Sequence, residues 1–307
     1  MSSLNINNEY GSLTKVILGV ANSFGGTPQI EECYDPKSKE NVINGTFPIE
    51  KDLIIELSGF LHVLEKYNVS VIRPEIIENY NQIFSRDIAF VIENKIIVSG
   101  IIDERKKEID GIKNFFSEIK SENIIKLEEG SRVEGGDVIL DGENIYIGYS
   151  KDIEFDKYKV ARTNEKAINQ IKDLFPHKKV YSFELNKSDH NARENALHLD
   201  CCFQPIGNKK AIIYEGGFKN TEDILFLINK FGNENLIRIS KEEMYNMNSN
   251  VFSISENVIV SETSFKRLNN TLRESGFIVE EIKFSEIAKM EGLLRCTTLP
   301  LQRRWIR

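Results

Sequence analysis

The sequence predicts an α/β fold of five repeated ββαβ units, closed into a five-bladed propeller with pseudo-five-fold symmetry. Two observations support this prediction. Short apolar, β-branched runs recur in pairs, and each pair is followed by residues with helical spacing of apolar side chains and then by a third extended run. The chain also begins and ends with parts of one unit. A closed ring of this kind makes residues 1–307 a single domain.

The unit is clearest at DIAFVIENKIIVSG (87–100), where two apolar runs flank the polar pair Glu93-Asn94, which suits a tight turn. A helical stretch at 104–120 and an extended run at 123–127 complete it. Three later segments repeat the order of strands and helix. Their hairpins are DVILDGENIYIGYS, ALHLDCCFQPIGNKKAIIYEGGF and NVFSISENVIVSE, and their helices are predicted near 162–175, 221–231 and 263–275.

The fifth unit is divided between the two ends of the chain. The N-terminal part supplies TKVILGV, a helix at 51–66 and VSVIRP, and the C-terminal CTTLPL supplies the missing strand. A ring is favoured over a linear stack because closure leaves neither edge strand unpaired. The alternative is an ordinary mixed α/β fold whose hairpins resemble one another by chance.

The composition is that of a globular protein that binds neither nucleic acid nor membranes. The 307 residues are 40% hydrophobic and 28% charged, with a formal net charge of -7 and both signs interspersed. The start lacks a signal-peptide pattern and no apolar run could span a bilayer, so we expect a cytoplasmic protein with a small-molecule or protein partner. Adjacent Cys201 and Cys202 should point to opposite faces of a strand, which argues against a shared metal.

Closure of the ring brings the hairpin entrances of all units to a common axis, and these entrances carry mostly ionisable side chains. They are Arg86-Asp87, Glu134 to Asp137 (EGGD), His198 with Asp200, Asn248 to Asn250, and Cys296. A thiolate attacks electron-poor carbon, a histidine exchanges protons, and converging carboxylates need a cationic ligand. A guanidinium is planar and permanently charged, and its central carbon is an electrophile, so the set predicts a guanidinium site.

Each of these residues, taken alone, also has a simpler structural explanation. Cys296 could be a core residue, His198 a hydrogen-bonded strand histidine, and Asp87 the partner of Arg86 in a local ion pair. Gly135-Gly136 indicates a bulge or a close approach of backbone under either interpretation. The coincidence of these residues at equivalent repeat positions favours a site.

Four segments, FSRDIAFVI, VEGGDVIL, ALHLDCCF and GLLRCTTLPL, resemble in order and spacing the guanidino-group-modifying enzymes. That superfamily includes arginine deiminases, dimethylarginine dimethylaminohydrolases and amidinotransferases, which share the pentein fold. The resemblance implies that Cys296 is the nucleophile, that His198 is the general acid/base, and that Glu134 accompanies the histidine. It also implies that Asp87 and Asp200 hold the guanidinium nitrogens. No metal and no organic cofactor is implied.

The sequence gives mixed indications of which guanidino reaction is catalysed. The opening NEYGSLTKVILG resembles amidinotransferases, whereas EGGD resembles the hydrolases, EGLLRC the dimethylargininases, and HLD the deiminases and amidinotransferases. Glu291 stands where many deiminases carry an arginine that holds the substrate carboxylate. Other candidate substrate-binding residues, each with a surface or structural role as the alternative, are Arg86, Arg105, Arg132, Asp137, Arg295 and Lys151, the last near where the hydrolases often carry an arginine.

We therefore expect hydrolysis of a C–N bond at the guanidinium carbon of arginine, methylarginine, agmatine or a related compound. Amidino transfer to an amine acceptor is the alternative within the same chemistry. A non-catalytic protein similar to the ribosome-binding initiation factor that shares this fold is the alternative from another class. The joint presence of Cys296, His198 and Glu134 argues against it. The sequence is compatible with a homo-oligomer and assigns no role to the C-terminal LQRRWIR.

Overall fold

The computed structural model describes residues 3–304 and contains, within that range, fifteen strands in five three-stranded sheets. The strands are β1 (Ser12–Leu18), β2 (Ser70–Ile72), β3 (Ala89–Ile92), β4 (Lys95–Val98), β5 (Ile124–Lys126), β6 (Val138–Asp141), β7 (Asn144–Tyr149), β8 (Lys179–Glu184), β9 (Phe203–Gly207), β10 (Lys210–Ile213), β11 (Leu236–Arg238), β12 (Phe252–Ser255), β13 (Val258–Glu262), β14 (Ile278–Ile282) and β15 (Thr298–Arg304).

Every sheet has the same topology. The orders are β15-β1-β2, β3-β4-β5, β6-β7-β8, β9-β10-β11 and β12-β13-β14, and in each the middle strand pairs antiparallel with the first and parallel with the third. The parallel pairing requires a crossover connection, and a helix supplies it in every unit. The repeated ββαβ unit predicted from the sequence is confirmed.

The described helices are α1 (Pro36–Ile43), α2 (Glu50–Lys66), α3 (Lys113–Ser117), α4 (Asp152–Phe155), α5 (Glu165–Leu174), α6 (Thr221–Phe231), α7 (Lys241–Tyr245) and α8 (Lys266–Glu274). Of these, α2, α3, α5, α6 and α8 are the crossovers. None of the helices within residues 3–304 is both long and apolar enough to cross a membrane.

The chain ends close the ring as predicted. Strand β15 pairs antiparallel with β1, from Ser12 opposite Arg304 to Leu18 opposite Thr298. Strand β12 contacts both β9 and β1, and β15 contacts β3, so first strands of successive units meet near the axis. Residues 301–304 of the C-terminal LQRRWIR belong to β15, whereas Trp305 and the two residues after it lie outside the described range.

Two local predictions are wrong. The helix predicted over 104–120 is a 3-10 helix at Asp103–Ile112 followed by the short α3. A glycine inside a helix disfavours the regular α conformation. Gly111 also packs closely against Glu75: its carbonyl accepts a hydrogen bond of 2.7 Å from the backbone N–H of Glu75, and a side chain at Gly111 would lie 2.9 Å from the carbonyl oxygen of Glu75. Cys201 ends a 3-10 turn rather than lying in a strand, although it and Cys202 pack in different apolar clusters.

A short turn lies at the entrance to the first strand of every unit, and the side chains singled out from the sequence lie in these turns or directly beside them. They span residues 85–88, 135–137, 199–201, 246–249 and 294–297. The turns at 135–137 and 199–201 contact each other, and the carbonyl of Cys296 accepts a hydrogen bond of 3.0 Å from the backbone N–H of Arg86. The fold therefore brings segments from all five units to one place.

Phe60→Ala should destabilise the protein by about 3–5 kcal/mol, because it leaves a cavity in the core. The Phe60 ring, on the buried face of α2, is fully buried and makes edge contacts with Phe252 at 5.6 Å and Phe284 at 5.8 Å between ring centroids. Chemical denaturation measures the loss. Ile55→Ala, on the same helix at a side chain 56% exposed, is the control and should change stability by well under 1 kcal/mol; equal losses would contradict the assignment of Phe60 to the core.

Candidate active site

The thiol of Cys296 lies in the turn that directly precedes β15. It is 3% exposed. Its Sγ lies 3.8 Å from Asp200 Oδ2 and 3.2 Å from Asn250 Nδ2, which donates a hydrogen bond to it. Burial raises the pKa of Cys296 well above its ordinary value, and the carboxylates of Asp200 and Asp87 raise it further. Burial and the two carboxylates therefore favour the neutral thiol, and a cation nearby would oppose them.

The imidazole of His198 lies between two carboxylates. Its Nε2 is 2.8 Å from Glu134 Oε2, and its Nδ1 is 3.8 Å from Asp87 Oδ1. All three side chains are buried. Burial by itself lowers the pKa of His198, but Asp87 and Glu134 outweigh it and raise that pKa above its ordinary value. The two carboxylates therefore favour the protonated imidazole, the form that can donate a proton.

The buried guanidinium of Arg162 binds both oxygens of Glu134, at 2.9 Å and 3.2 Å, and also donates to the carbonyl of Tyr34 at 2.7 Å. Burial opposes ionisation of Glu134, but Arg162 and the hydrogen bond from His198 hold its pKa well below the ordinary range. Glu134 is therefore an anion beside the imidazole.

Sequence reasoning missed Arg162 because α4 and a loop separate it from the segment IGYSKD. It pointed to Lys151, directly after Ser150, but that side chain is exposed and forms an ion pair of 2.8 Å with Glu184. The chain loops out after Ser150 and returns, so that the N–H of Ser150 donates to the carbonyl of Thr163 at 2.9 Å. Arg162 thus occupies the place next to Ser150 in space.

The two carboxylates predicted to hold a guanidinium are already in contact with protein donors. Asp87 accepts from the N–H of Gly136 at 3.1 Å and from Arg105 at 2.8 Å, and Asp200 accepts from Arg295 at 2.7 Å. The close approach predicted from EGGD is present, because a side chain on Gly136 would lie 2.6 Å from the ring of His198. A glycine is therefore required for the imidazole to sit where it does.

Asp137 contacts protein groups that support the histidine. Its two oxygens accept from the N–H of Leu199 at 2.9 Å and from the hydroxyl of Thr163 at 2.7 Å. Leu199 follows His198 directly, so these bonds fix the turn that carries the imidazole. Burial raises the pKa of Asp137.

The remaining predicted arginines have different positions. Arg86 is buried and donates to the carbonyl of Arg295 and to Thr298, each at 3.3 Å, and burial and neighbouring Arg295 lower its pKa to about 9. Arg132 is exposed, with its guanidinium carbon 5.3 Å from the ring centroid of Phe155. The structure places Arg86 behind the cluster and Arg132 outside it, so a contact of either with substrate stays a prediction.

Arg105 separates the cluster from a cavity of about 580 Å³. Its guanidinium binds Asp87 and, through two hydrogen bonds of 2.6 Å and 2.8 Å, Glu108. The same arginine lines the cavity together with Tyr34, Asp35, Lys159 and others. The lining includes none of Cys296, His198, Glu134, Asp87 and Asp200, so the cavity and the buried cluster are separate.

Asp87, Glu134 and His198 are close enough to hold a metal ion, since one ligand atom of each lies within 4.8 Å of the others. However, Arg105 binds Asp87, and Arg162 binds both oxygens of Glu134. A metal cation would have to share these oxygens with two guanidinium charges. The arrangement therefore suits an imidazole–carboxylate pair better than a metal site.

A family model described as N,N dimethylarginine dimethylhydrolase, eukaryotic, matches residues 42–303. The chain belongs to this family. It is also 30% identical over 297 residues to the uncharacterized protein YkgA of Bacillus subtilis (strain 168), a match that covers 96% of this chain and 94% of YkgA. It is 27% identical over 269 residues to an arginine deiminase of Bacillus cytotoxicus, covering 73% of this chain and 62% of the deiminase.

The fold of this N,N dimethylarginine dimethylhydrolase family member also matches a solved structure. SxtG, an amidinotransferase from Microseira wollei in the saxitoxin biosynthetic pathway, superposes with a TM-score of 0.74 at 17% identity over 99% of this chain and 98% of SxtG. The predicted guanidino-modifying superfamily and its pentein propeller are therefore confirmed. The protein is an enzyme of the class that acts on guanidino groups of small molecules.

Arg162→Met should destabilise the family member by about 3–5 kcal/mol, because it leaves the buried anion of Glu134 without its main counter-charge. Thermal and chemical denaturation measure the effect. Lys151→Met, at the cation that the sequence suggested, is the matched control and should change stability by less than about 0.5 kcal/mol. The assignment of Arg162 would be wrong if both variants were equally stable.

Glu134→Gln should lower the pKa of His198, because it removes a carboxylate that raises that pKa. The chain has only four histidines, so NMR of labelled imidazoles can resolve the titration. Protonation of His198 stabilises the fold in full below the unfolded pKa of about 6.5, and this contribution is lost as the pH rises through the higher folded pKa. Glu143→Gln, on the exposed surface, should leave the titration unchanged; an unshifted His198 in Glu134→Gln would contradict the pairing.

Proposed function

We propose that this protein is a cysteine-dependent hydrolase that acts on the guanidinium carbon of arginine or an arginine-like compound, as deiminases and dimethylargininases do. One observation carries the proposal: a thiol, an imidazole–carboxylate pair and two further carboxylates converge in one buried cluster. Cys296 Sγ lies 3.8 Å from Asp200. His198 lies 2.8 Å from Glu134 and 3.8 Å from Asp87.

Asp87 and Asp200 are assigned to binding of the substrate guanidinium. A carboxylate has about four lone-pair sites, so each can accept from a substrate nitrogen while keeping its present arginine partner. A guanidinium between the two carboxylates offsets the negative charge that raises the pKa of Cys296. Substrate binding thereby promotes formation of the thiolate that attacks it.

The first half-reaction forms a covalent intermediate. The thiolate of Cys296 attacks the guanidinium carbon and forms a tetrahedral adduct. The C–N bond to the leaving amine then breaks while protonated His198 delivers its proton to that nitrogen, which leaves the amidino group joined to Sγ as a thioether. The anionic Glu134 supports this step because it favours the protonated state of His198.

The second half-reaction releases the product. Neutral His198 takes a proton from water as its oxygen adds to the amidino carbon, and the C–S bond then breaks. The thiolate of Cys296 is regenerated and His198 is again protonated. The hydroxyl of the protonated ureido product gives its proton to solvent, and the neutral ureido compound leaves. Neither half-reaction consumes a cofactor.

Transfer of the amidino group to an amine is the second candidate, because an amine can take the place of water. The resemblance of NEYGSLTKVILG to amidinotransferases favours it. However, Glu9 of this segment binds Arg295 at 3.1 Å. The segment thus has a structural role in closing the ring, and we keep hydrolysis as the first choice.

Mass spectrometry of the products tests the proposal. The substrates are arginine, N-methylated arginines and agmatine, each with and without glycine or ornithine. We expect a ureido product without any acceptor amine. Cys296→Ala should lose at least about 1000-fold in kcat/KM, because no covalent intermediate can form.

Cys33→Ala is the matched control, because Cys33 is a partly exposed cysteine on the cavity wall, and it should retain activity. A new guanidino compound that appears only with an amine would identify a transferase instead. Absence of turnover with all of these compounds, together with absence of labelling of Cys296 by chloroacetamidine, would contradict catalysis and favour the binding-protein alternative.

A further inference from the structure

Asn250 is the contribution of the fourth unit to the cluster, and the proposed reaction gives it no role. It follows the turn at 246–249 and is fully buried. Its Oδ1 accepts from the backbone N–H of Arg295 at 3.0 Å and from that of Cys296 at 3.2 Å. Its Nδ2 donates to Cys296 Sγ at 3.2 Å. One side chain therefore binds both the backbone and the sulfur of the predicted nucleophile.

The orientation of the Asn250 amide is fixed by its partners. The two backbone N–H groups of Arg295 and Cys296 can only donate, so the atom that faces them must be the acceptor oxygen. The amide nitrogen is then the atom that faces the sulfur. Because a thiolate accepts hydrogen bonds and a neutral thiol also donates them, this N–H favours the thiolate form.

We propose that Asn250 is a positioning residue that holds the turn of Cys296 and donates a hydrogen bond to its thiolate. The inference rests on the proposed function in taking Cys296 as the nucleophile. The carboxylates of Asp200 and Asp87 disfavour the thiolate of Cys296, whereas the cation of Arg295 favours it. The N–H of Asn250 acts in the same direction as Arg295 and opposes the two carboxylates. Within residues 3–304, Asn250 is the side chain that donates to Cys296 Sγ.

The same turn also supports the neighbouring unit. The hydroxyl of Ser249 donates to the backbone carbonyl of Asp200 at 2.9 Å. Asn250 therefore contacts the sulfur, and Ser249 contacts the backbone of the residue whose carboxylate lies 3.8 Å from that sulfur.

The test is the pH dependence of Cys296 alkylation by iodoacetamide, read by peptide mass spectrometry in a Cys33→Ala background. Asn250→Asp keeps the acceptor oxygen for the two N–H groups but removes the donor, and Asn250→Ala removes both. We expect the apparent pKa of alkylation to rise by about one unit or more in both variants. The control Asn248→Asp introduces the same negative charge two residues earlier in the chain and should shift the apparent pKa of alkylation less.

A folded Asn250→Ala protein with the wild-type alkylation profile would overturn the inference and reduce Asn250 to a structural role. If Asn250→Ala does not fold, Asn250→Asp decides, since it retains the bonds to the turn; an alkylation profile no different from that of Asn248→Asp would then overturn it. The profile needs no turnover. A wild-type protein that turns over no guanidine but shows an Asn250-dependent profile would contradict the hydrolase and support this inference.

Discussion

The guanidinium of Arg295 is the interaction on which both the ring and the site depend. It binds Glu9 of the N-terminal segment at 3.1 Å and 3.2 Å, Asp200 of the third unit at 2.7 Å, and the carbonyl of Val138 in the second unit at 2.7 Å. Arg295 is completely buried, and burial of an unpaired charge is costly, so these partners must stay in place together. Arg295 in turn stabilises the anion of Glu9. Burial opposes ionisation of Glu9, but Arg295 and Arg86 lower its pKa to about 2. Because Cys296 is the next residue, the group that joins three units also fixes the nucleophile.

Around Arg295, buried arginines are paired with buried carboxylates. Arg295 binds Asp200, Arg105 binds Asp87, and Arg162 binds Glu134. Each carboxylate that the proposed chemistry uses is thus oriented by an arginine of the protein before substrate arrives. Such preorganisation matters because carboxylates held in a fixed geometry need not reorganise when a cation binds. The thiol of Cys296 differs, because the side chains in contact with its sulfur are the amide of Asn250 and the carboxylate of Asp200.

The sequence could predict those features of the fold and of the candidate site that are local or repeated. Hairpins with polar turns, crossover helices and complementary chain ends are visible as patterns, and the ring follows from them. The site residues Asp87, Glu134, His198 and Cys296 could be predicted because the ring brings equivalent positions together. Features that depend on tertiary packing could not. Arg162 follows a loop whose return is visible only in the pairing of backbone groups, and the 3-10 helix of 103–112 packs through Gly111 against Glu75, far away in the sequence.

The two oxygens of Asp87 have different partners, and this difference determines which substrate nitrogen leaves in the proposed reaction. One oxygen binds Arg105, and the other faces the N–H of Gly136 and lies 3.8 Å from Nδ1 of His198. A substrate nitrogen that binds Asp87 on the second side is placed next to the imidazole, whereas a nitrogen bound by Asp200 lies beside the thiol. Since the acid must protonate the nitrogen that departs, the nitrogen on the Asp87 side is the leaving one. Arg105 thus keeps the first oxygen occupied, so that substrate binding is directed to the oxygen that faces the proton donor.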